Sequence, residues 1–168
     1  MNIREALLVE HSKSQTMKIV NYVGVNAERF AELMSLFLGE TYRLSQRAAW
    51  AVNYCAENHP ELVKPYFSKL VAQLERDDVH VAVRRNAARM LQFIDIPKRF
   101  EGRVFDACYK LVDDPHQPVA VRVFSLTVAA RIARNSPDLL GELHLVAAKY
   151  PEGATAGFRS RCLRVLGI

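Results

Sequence analysis

Asp77-Asp78-Val79-His80-Val81-Ala82-Val83-Arg84 is the first copy of a motif that occurs twice in the chain. The second copy begins with Asp113-Asp114-Pro115-His116 and continues, after two further residues, with Val119-Ala120-Val121-Arg122. A motif written twice within 168 residues indicates an internal repeat. In a repeat protein each unit buries its apolar face against the neighbouring units. The motif therefore predicts an array of similar units stacked one on the next.

Prolines mark the period of this array. Asn58-His59-Pro60 recurs 77 residues later as Asn135-Ser136-Pro137, and Pro97 lies between them, so one unit is about 38 residues long. Proline is favoured in the first turn of a helix, because the N–H that it lacks would have no helical partner there. After each proline, apolar residues recur three and four apart, which predicts an amphipathic helix. We call these the second helices of the units.

The Val-Ala-Val-Arg part of the motif belongs to another set, the first helices, in which many alanines allow close packing. We place them at residues 43–57, 81–94, 118–134 and 157–167. Residues 2–23 and 26–38 form a further pair, and the 2–23 helix breaks near Ser12–Ser14, where a serine can cap a new start. The sequence predicts an all-α superhelix, a solenoid of about four helix pairs plus a terminal helix. Its approximate units are 2–39, 41–76, 81–113, 118–150 and the final helix 157–168.

Helix pairs of this period, with two aspartates in the turn and an arginine in the next helix, resemble HEAT repeats, an armadillo-like family. The resemblance implies a structural ladder in which Asp77 or Asp78 pairs with Arg84, and Asp113 or Asp114 pairs with Arg122, with Asp78 and Asp114 as the ladder residues of choice. It also implies a non-catalytic module or scaffold that binds another protein in a groove lined by the second helices. The groove residues are then Glu61, Lys64, Lys98, Glu101 and Glu142.

The stretch Arg47-Ala48-Ala49-Trp50 also resembles a family of short bacterial HEAT-like proteins, some of which carry the name adenylosuccinate lyase. The serine-containing, glycine-rich signature of such lyases does not occur in this sequence. HEAT-like DNA glycosylases use several tryptophans and an aspartate in a basic cleft, whereas this chain is shorter and has one tryptophan. We expect Trp50 to pack in the core between repeats, and no catalytic residue is carried over.

The positive charge is concentrated on the first helices. The chain has a net charge of +5, and 16 of its 23 basic residues are arginine. Eleven of these arginines lie on the first helices, which contain no lysine and one acid, Glu57. A basic layer can follow a phosphate backbone with an affinity that falls steeply with salt. The alternative function is therefore nucleic-acid binding through Arg85, Arg89, Arg131, Arg134 and Arg164.

Other classes of function lack support in the sequence. The histidines have no metal-ligand spacing, and no phosphate-binding loop, dinucleotide-binding glycine motif or nucleophile elbow occurs. We expect no catalytic residue, metal or cofactor. Cys55, Cys108 and Cys162 are odd in number and far apart, which is typical of buried thiols in a reducing compartment. Without a signal-peptide pattern or an apolar stretch of about 20 residues, the sequence predicts a cytoplasmic protein without membrane contact. It leaves the oligomeric state open.

Overall fold

The computed structural model describes residues 1–39, 41–149 and 155–168. These residues form ten α-helices and two 3₁₀ segments, with no strand, which confirms the all-α prediction. The α-helices are α1 (Ile3–Val9), α2 (Lys13–Val23), α3 (Ala27–Leu38), α4 (Tyr42–Asn58), α5 (Phe67–Glu75), α6 (Val81–Met90), α7 (Glu101–Asp113), α8 (Val119–Ala133), α9 (Pro137–Ala148) and α10 (Ala156–Leu166). Within the described ranges, none of these helices combines the length and apolarity that crossing a bilayer requires.

Side-chain caps set the starts of several helices. The Oγ of Ser12 accepts a hydrogen bond from the backbone N–H of Gln15 at 3.1 Å, and α2 begins directly after this serine. The Oδ1 of Asn26 accepts one from Arg29 at 2.9 Å at the start of α3. Such a cap satisfies a backbone donor that has no partner inside the helix. The predicted break between α1 and α2 is thus confirmed.

The prolines act in two different ways. After Pro60 the chain forms a 3₁₀ segment, Pro60–Tyr66, and α5 begins only at Phe67. Pro65 lies inside that segment, where its missing N–H and its ring prevent regular α-helical bonding. At Pro137, by contrast, α9 begins with the proline itself. The helix that the sequence predicted as one run after Pro60 is therefore divided.

The helices form two layers. In the first layer α4, α6, α8 and α10 pack side by side in chain order, and α1 and α2 lie against α4. In the second layer α7 packs against both α5 and α9. Each second-layer helix also packs on the first-layer helix that follows it, α3 on α4, α5 on α6, α7 on α8 and α9 on α10. Stacking in chain order is the architecture of a helical-repeat superhelix.

One hydrophobic cluster runs through the stack from Ile3 in α1 to Cys162 in α10. The first layer contributes small side chains to it, and fully buried alanines occur in α4, α6 and α8. The distance between packed helices depends on the side chains at their contact, so these alanines let the first-layer helices approach closely. The core is therefore continuous from unit to unit.

A polar pair is buried between α4 and α6. The Nδ2 of Asn53 donates to the Oδ1 of Asn86 at 3.0 Å and to the carbonyl of Ala49 at 2.8 Å. The Nδ2 of Asn86 donates to the carbonyl of Ala82 at 2.7 Å. Both asparagines are buried, so a shift of one helix along the other would leave polar groups without partners. The pair therefore favours a single alignment of the two helices.

Candidate interaction surfaces

The repeated motif joins the two layers, but through contacts that differ from the expected ion pairs. Arg84 in α6 is 8% exposed, and its Nη2 donates to the backbone carbonyl of Arg76 at the end of α5. Its Nη1 donates to the Oε1 of Gln117 at 3.3 Å. Asp78 instead accepts two hydrogen bonds from the Arg76 guanidinium, at 2.9 and 2.7 Å, which lower the pKa of its carboxyl group. An arginine-to-carbonyl contact thus stands where the Asp78–Arg84 pair was expected.

The second copy of the motif has a similar arrangement. The Nε of Arg122 in α8 donates to the carbonyl of Val112 near the end of α7, at 2.9 Å. Asp114 accepts hydrogen bonds from the side chain of Gln117 at 2.8 Å and from the backbone N–H of His116 at 2.9 Å. These two bonds are the main causes that lower the pKa of Asp114, and the charge of Arg122 makes a smaller contribution. The Asp114 carboxylate therefore organises its own turn.

A hydrogen-bond donor recurs at one position of the first-layer helices. Ser45, Arg84 and Arg122 are each the fourth residue after the N-cap of their helix. The Oγ of Ser45 donates to the carbonyl of Gly39, which caps the end of α3, at 3.0 Å. Carbonyls at the end of a helix have no partner inside it and carry partial negative charge. The donors in α4, α6 and α8 therefore close the ends of α3, α5 and α7.

Further arginines connect neighbouring helices of the first layer. The Nη1 of Arg47 in α4 donates to two carbonyls at the end of α1, at 2.8 and 3.0 Å. Arg131 in α8 donates to three carbonyls that follow α6, at 2.7–3.2 Å. Arg89 in α6 forms an ion pair with Glu57 of α4 at 2.9 Å. Much of the arginine content of this layer therefore stabilises the stack itself.

The five arginines predicted to form an anion-binding face fall into two groups. Arg85 and Arg89 lie one helical turn apart on α6, on the same side of that helix. Arg131, Arg134 and Arg164 line one cleft of about 340 Å³ between α8, α9 and α10. No acidic residue is among the described residues that line this cleft. The structure therefore brings three of the five arginines together at the C-terminal end of the stack.

The residues predicted to line a protein-binding groove lie on the second layer and on its 3₁₀ segments. Glu61 and Lys64 are exposed on the segment Pro60–Tyr66, and Lys98 is exposed just before α7. Glu101 is half-buried at the start of α7, and Glu142 is exposed on α9. The five side chains belong to one layer and carry charges of both signs, so the surface there has no dominant charge.

Trp50 was placed wrongly by the sequence analysis. Its side chain is not in the core but 40% exposed, and its ring stacks on His11 with the centroids 4.9 Å apart. Trp50 is the ninth residue after its N-cap, a position held by Arg89 in α6, Thr127 in α8 and Arg164 in α10. The polar residues at this position in the other units are the signal that could have predicted an exposed tryptophan.

Exposed large apolar side chains are concentrated on the first layer. Those on the helices α4, α6, α8 and α10 and the turn after α6 are Tyr42, Trp50, Val81, Phe93, Val119 and Leu163, whereas Met1, Leu8, Val9, Val25 and Ile168 lie on α1, between α2 and α3, or at the ends of the chain. Among the described second-layer helices, Leu145 of α9 is the single residue of this kind. Trp50, Arg85, Arg89 and Phe93 form the aromatic and arginine-rich part of this surface, which we call the outer face. The Arg89–Glu57 ion pair joins α4 and α6 on this layer.

The cysteines pack as small apolar groups. Burial raises the pKa of the Cys55 and Cys108 thiols to about 12 and also raises the pKa of Cys162. Only the thiolate is a strong nucleophile or metal ligand, so these thiols are unreactive at neutral pH. In the parts of the chain that the structure describes, His, Cys, Asp and Glu side chains form no group that could hold a metal ion.

Two stacked layers of helices, joined unit by unit through a repeated motif, define an α-helical repeat protein. The HEAT repeat domain family matches residues 3–166, nearly the whole chain, and the chain therefore belongs to this family. HEAT repeats are typically non-catalytic helical modules of the protein-interaction type. No curated protein and no solved structure matches the chain.

Proposed function

We propose that the chain is a non-catalytic protein-interaction module that binds its partner on the outer face of the first layer, around Trp50. The observation that carries this proposal is the exposure of the single tryptophan on the layer that also holds Phe93, Arg85 and Arg89. Tryptophan and arginine are among the residue types enriched at the energetic centres of protein interfaces.

The composition of the two layers supports the same choice. The cores of protein interfaces are enriched in aromatic residues and arginine and depleted in lysine and acidic residues. The first-layer helices α4, α6, α8 and α10 contain no lysine and one acid, Glu57. The second-layer candidates, such as Glu61, Lys64 and Glu142, are residue types that interface cores avoid. The outer face is therefore the stronger candidate for the interface.

The contact of Trp50 with His11 supports a role as an anchor. The imidazole stacks on the indole at 4.9 Å, which holds the indole in one orientation while 40% of the residue stays exposed. An aromatic side chain that is already fixed loses little conformational freedom when a partner covers it. Trp50 is thus preorganised for a partner with an apolar side chain or a small pocket.

Nucleic-acid binding is the weaker alternative, because it requires guanidinium groups that face the solvent along the stack. Arg47 and Arg84 instead donate hydrogen bonds to backbone carbonyls, and Arg89 is paired with an acid. The positive charge that remains exposed is therefore discontinuous along the first layer. A backbone that is contacted at few phosphates is bound weakly and with a small salt dependence, because both affinity and salt slope grow with the number of phosphates neutralised.

The test is affinity capture of proteins from a native lysate with the immobilised chain and its variants. We expect Trp50→Ala to lose the proteins that the wild type retains. Leu145→Ala is the matched control, because it removes the exposed apolar side chain of the second layer and should retain them. Thermal unfolding of each variant checks that it is folded.

The hypothesis that the partner binds in a groove of the second layer predicts the opposite result. If Lys64→Ala and Glu142→Ala lose the captured proteins while Trp50→Ala retains them, the outer face is the wrong surface. If the wild type captures no protein at low salt, the proposal of an interaction module fails as a whole.

A further inference from the structure

The cleft at the C-terminal end of the stack has the chemistry of an anion site. It has a volume of about 340 Å³ and is bounded by α8, α9 and α10. Its principal lining residues are Arg131, Arg134, Arg164, Thr127, Leu140 and Val165. The cleft is thus lined by three arginine side chains and a small apolar wall. A site of this size and lining suits one anionic group with a short apolar attachment.

The positive charge in the cleft is not balanced by a carboxylate in the described ranges. Neither the three lining arginines nor the adjacent Arg161 belongs to an ion pair there. The Arg161 guanidinium donates to the Oγ1 of Thr127, and its pKa is lowered by burial and also by the charge of Arg164. Cations that repel one another in this way are stabilised when an anion binds between them.

Arg131 is held in place before any ligand binds. Its Nη1 donates to the carbonyls of Leu91 and Gln92 at 3.0 and 2.7 Å, and its Nη2 donates to that of Ile94 at 3.2 Å. A guanidinium has five N–H donors, so two remain for a ligand. The carbonyl partners are neutral, so the positive charge of this cleft-lining arginine is not cancelled by them. This arginine is therefore both fixed in orientation and still charged.

We propose that this cleft binds the phosphate of a phosphorylated side chain on the partner protein. Guanidinium groups match the oxygens of a phosphate in pairs of parallel hydrogen bonds, and they remain charged at any ordinary pH. Leu140 and Val165 would contact the carbon chain that carries the phosphate. The nature of the carrier rests on the proposed function, whereas the affinity of the cleft for a phosphate group does not.

The position of the cleft relative to the outer face supports a protein carrier. Trp50, Arg89, Thr127 and Arg164 occupy equivalent positions in four neighbouring helices, so they form a row across the first layer. Packed helices lie about 8–10 Å apart, so this row is roughly 24–30 Å long. An extended peptide of about seven to nine residues spans this distance. One segment of a partner can therefore contact Trp50 and place a phosphorylated side chain in the cleft.

A nucleic-acid strand fits the same row less well. Each of its phosphates needs a positive group along the path. Between Trp50 and Arg164, however, the row offers Arg89, which is paired with Glu57, and the neutral Thr127. The charge is gathered in one cleft, which favours a single anionic group over a continuous backbone.

The test is a titration of the full chain with phenyl phosphate, a phosphate monoester on a small apolar ring, followed by amide chemical shifts. We expect saturable shifts at the end of α8 and in α10. Arg134→Gln and Arg164→Gln should each weaken binding about tenfold or more, because each removes a charged donor. Arg43→Gln is the matched control, since it removes an exposed arginine from the start of α4 and should leave the affinity unchanged.

Several results would overturn the proposal. Shifts that do not saturate at millimolar phenyl phosphate, or an equal loss of affinity in Arg43→Gln, exclude a specific site. Tighter binding of a single-stranded oligonucleotide, weakened by Arg164→Gln, would assign the cleft to nucleic acid. Trp50→Ala should not change the affinity for phenyl phosphate, so failure of the outer face and failure of the cleft are distinguishable.

The protein carrier has its own test in the capture experiment. Phosphatase treatment of the lysate should reduce the amount of partner retained by the wild type to the amount retained by Arg164→Gln. Retention that is unaffected by phosphatase would show that the partner carries no phosphate needed for binding.

Discussion

Of two substitutions in the same motif, only one should weaken the connection between α5 and α6. Arg84→Met keeps an apolar side chain of similar length but removes the donor that binds the carbonyl of Arg76 at the end of α5. Asp78→Ala removes a carboxylate that is bound on the surface by the Arg76 guanidinium. If the arginine-to-carbonyl contact joins the layers, only Arg84→Met should destabilise the protein.

The size of the effect follows from the geometry of Arg84. A hydrogen bond from a charged donor contributes about 1.5–3 kcal/mol, and the partly buried position of this contact favours the lower end, about 1.5–2 kcal/mol. For a chain of this length, each kcal/mol lowers Tm by roughly 2–4 °C, which gives a fall of about 3–8 °C. The Asp78 carboxylate lies in solvent, where ion pairs contribute little, so Asp78→Ala should leave Tm unchanged within error.

Differential scanning calorimetry of the wild type, the two single variants and the double variant measures both effects. We expect the double variant to unfold at the same temperature as Arg84→Met, because the two side chains do not interact directly. The reasoning is refuted if Asp78→Ala lowers Tm as much as Arg84→Met does and the double variant is no less stable than either. That result would show that the two residues stabilise the fold as a pair.

Three further outcomes can be measured on the folded chain. Asn53→Ala removes the buried hydrogen bond to Asn86 and should lower the free energy of unfolding, measured in urea, by about 1–3 kcal/mol. A loss near zero would mean that the pair does not fix the alignment of α4 and α6. The hydrogen bond from Arg103 lowers the pKa of Glu75 below its ordinary value of 4.5. The ionised Glu75 therefore stabilises the folded protein above pH 4.5, and this contribution is lost as the pH falls through the lowered pKa of the folded state. Glu75→Gln should therefore reduce the slope of stability against pH below 4.5, and an unchanged slope in acid titrations of unfolding would contradict this. Burial raises the pKa of Cys108 to about 12, so iodoacetamide should alkylate this thiol only after unfolding in urea, as measured by mass spectrometry. Alkylation of the native chain at the same rate would contradict this.

The layered architecture could be predicted because its signals are local and recur in every unit. Asn26 and Ser12 cap helices with their own side chains, and Pro137 starts α9, so each boundary is written within a few residues. The repeated motif then shows that neighbouring units are alike and must stack to bury their apolar faces. Local signals that recur were sufficient for the fold class.

Contacts between residues distant in sequence could not be predicted in this way. The sequence placed the end of the 81–94 helix four residues too late, since α6 ends at Met90. The backbone then turns, and three carbonyls after α6 are bound by Arg131, about 40 residues further on. Periodicity within one helix carries no information about a donor in another helix.

The ladder and Trp50 show a different limit. Asp78 pairs with Arg76, two residues away, because pairing with a near neighbour on the surface loses less conformational entropy than ordering a distant, buried partner. The family pattern indicated which residues lie at the turn but not which of them bind one another. For Trp50, a large aromatic residue among alanines favoured the core, and the alignment of the four units was needed to show otherwise.

The donors that close the helix ends have a consequence for how such an array can change in evolution. Ser45, Arg84 and Arg122 bind main-chain carbonyls, which every residue carries whatever its side chain. A short hydroxyl and a long guanidinium serve equally at this position. To close the preceding helix, a duplicated or transplanted unit therefore needs a donor four residues after its cap, with no matching substitution in the turn before it. At this joint, recombination between units does not require side chains of the two partners to change together.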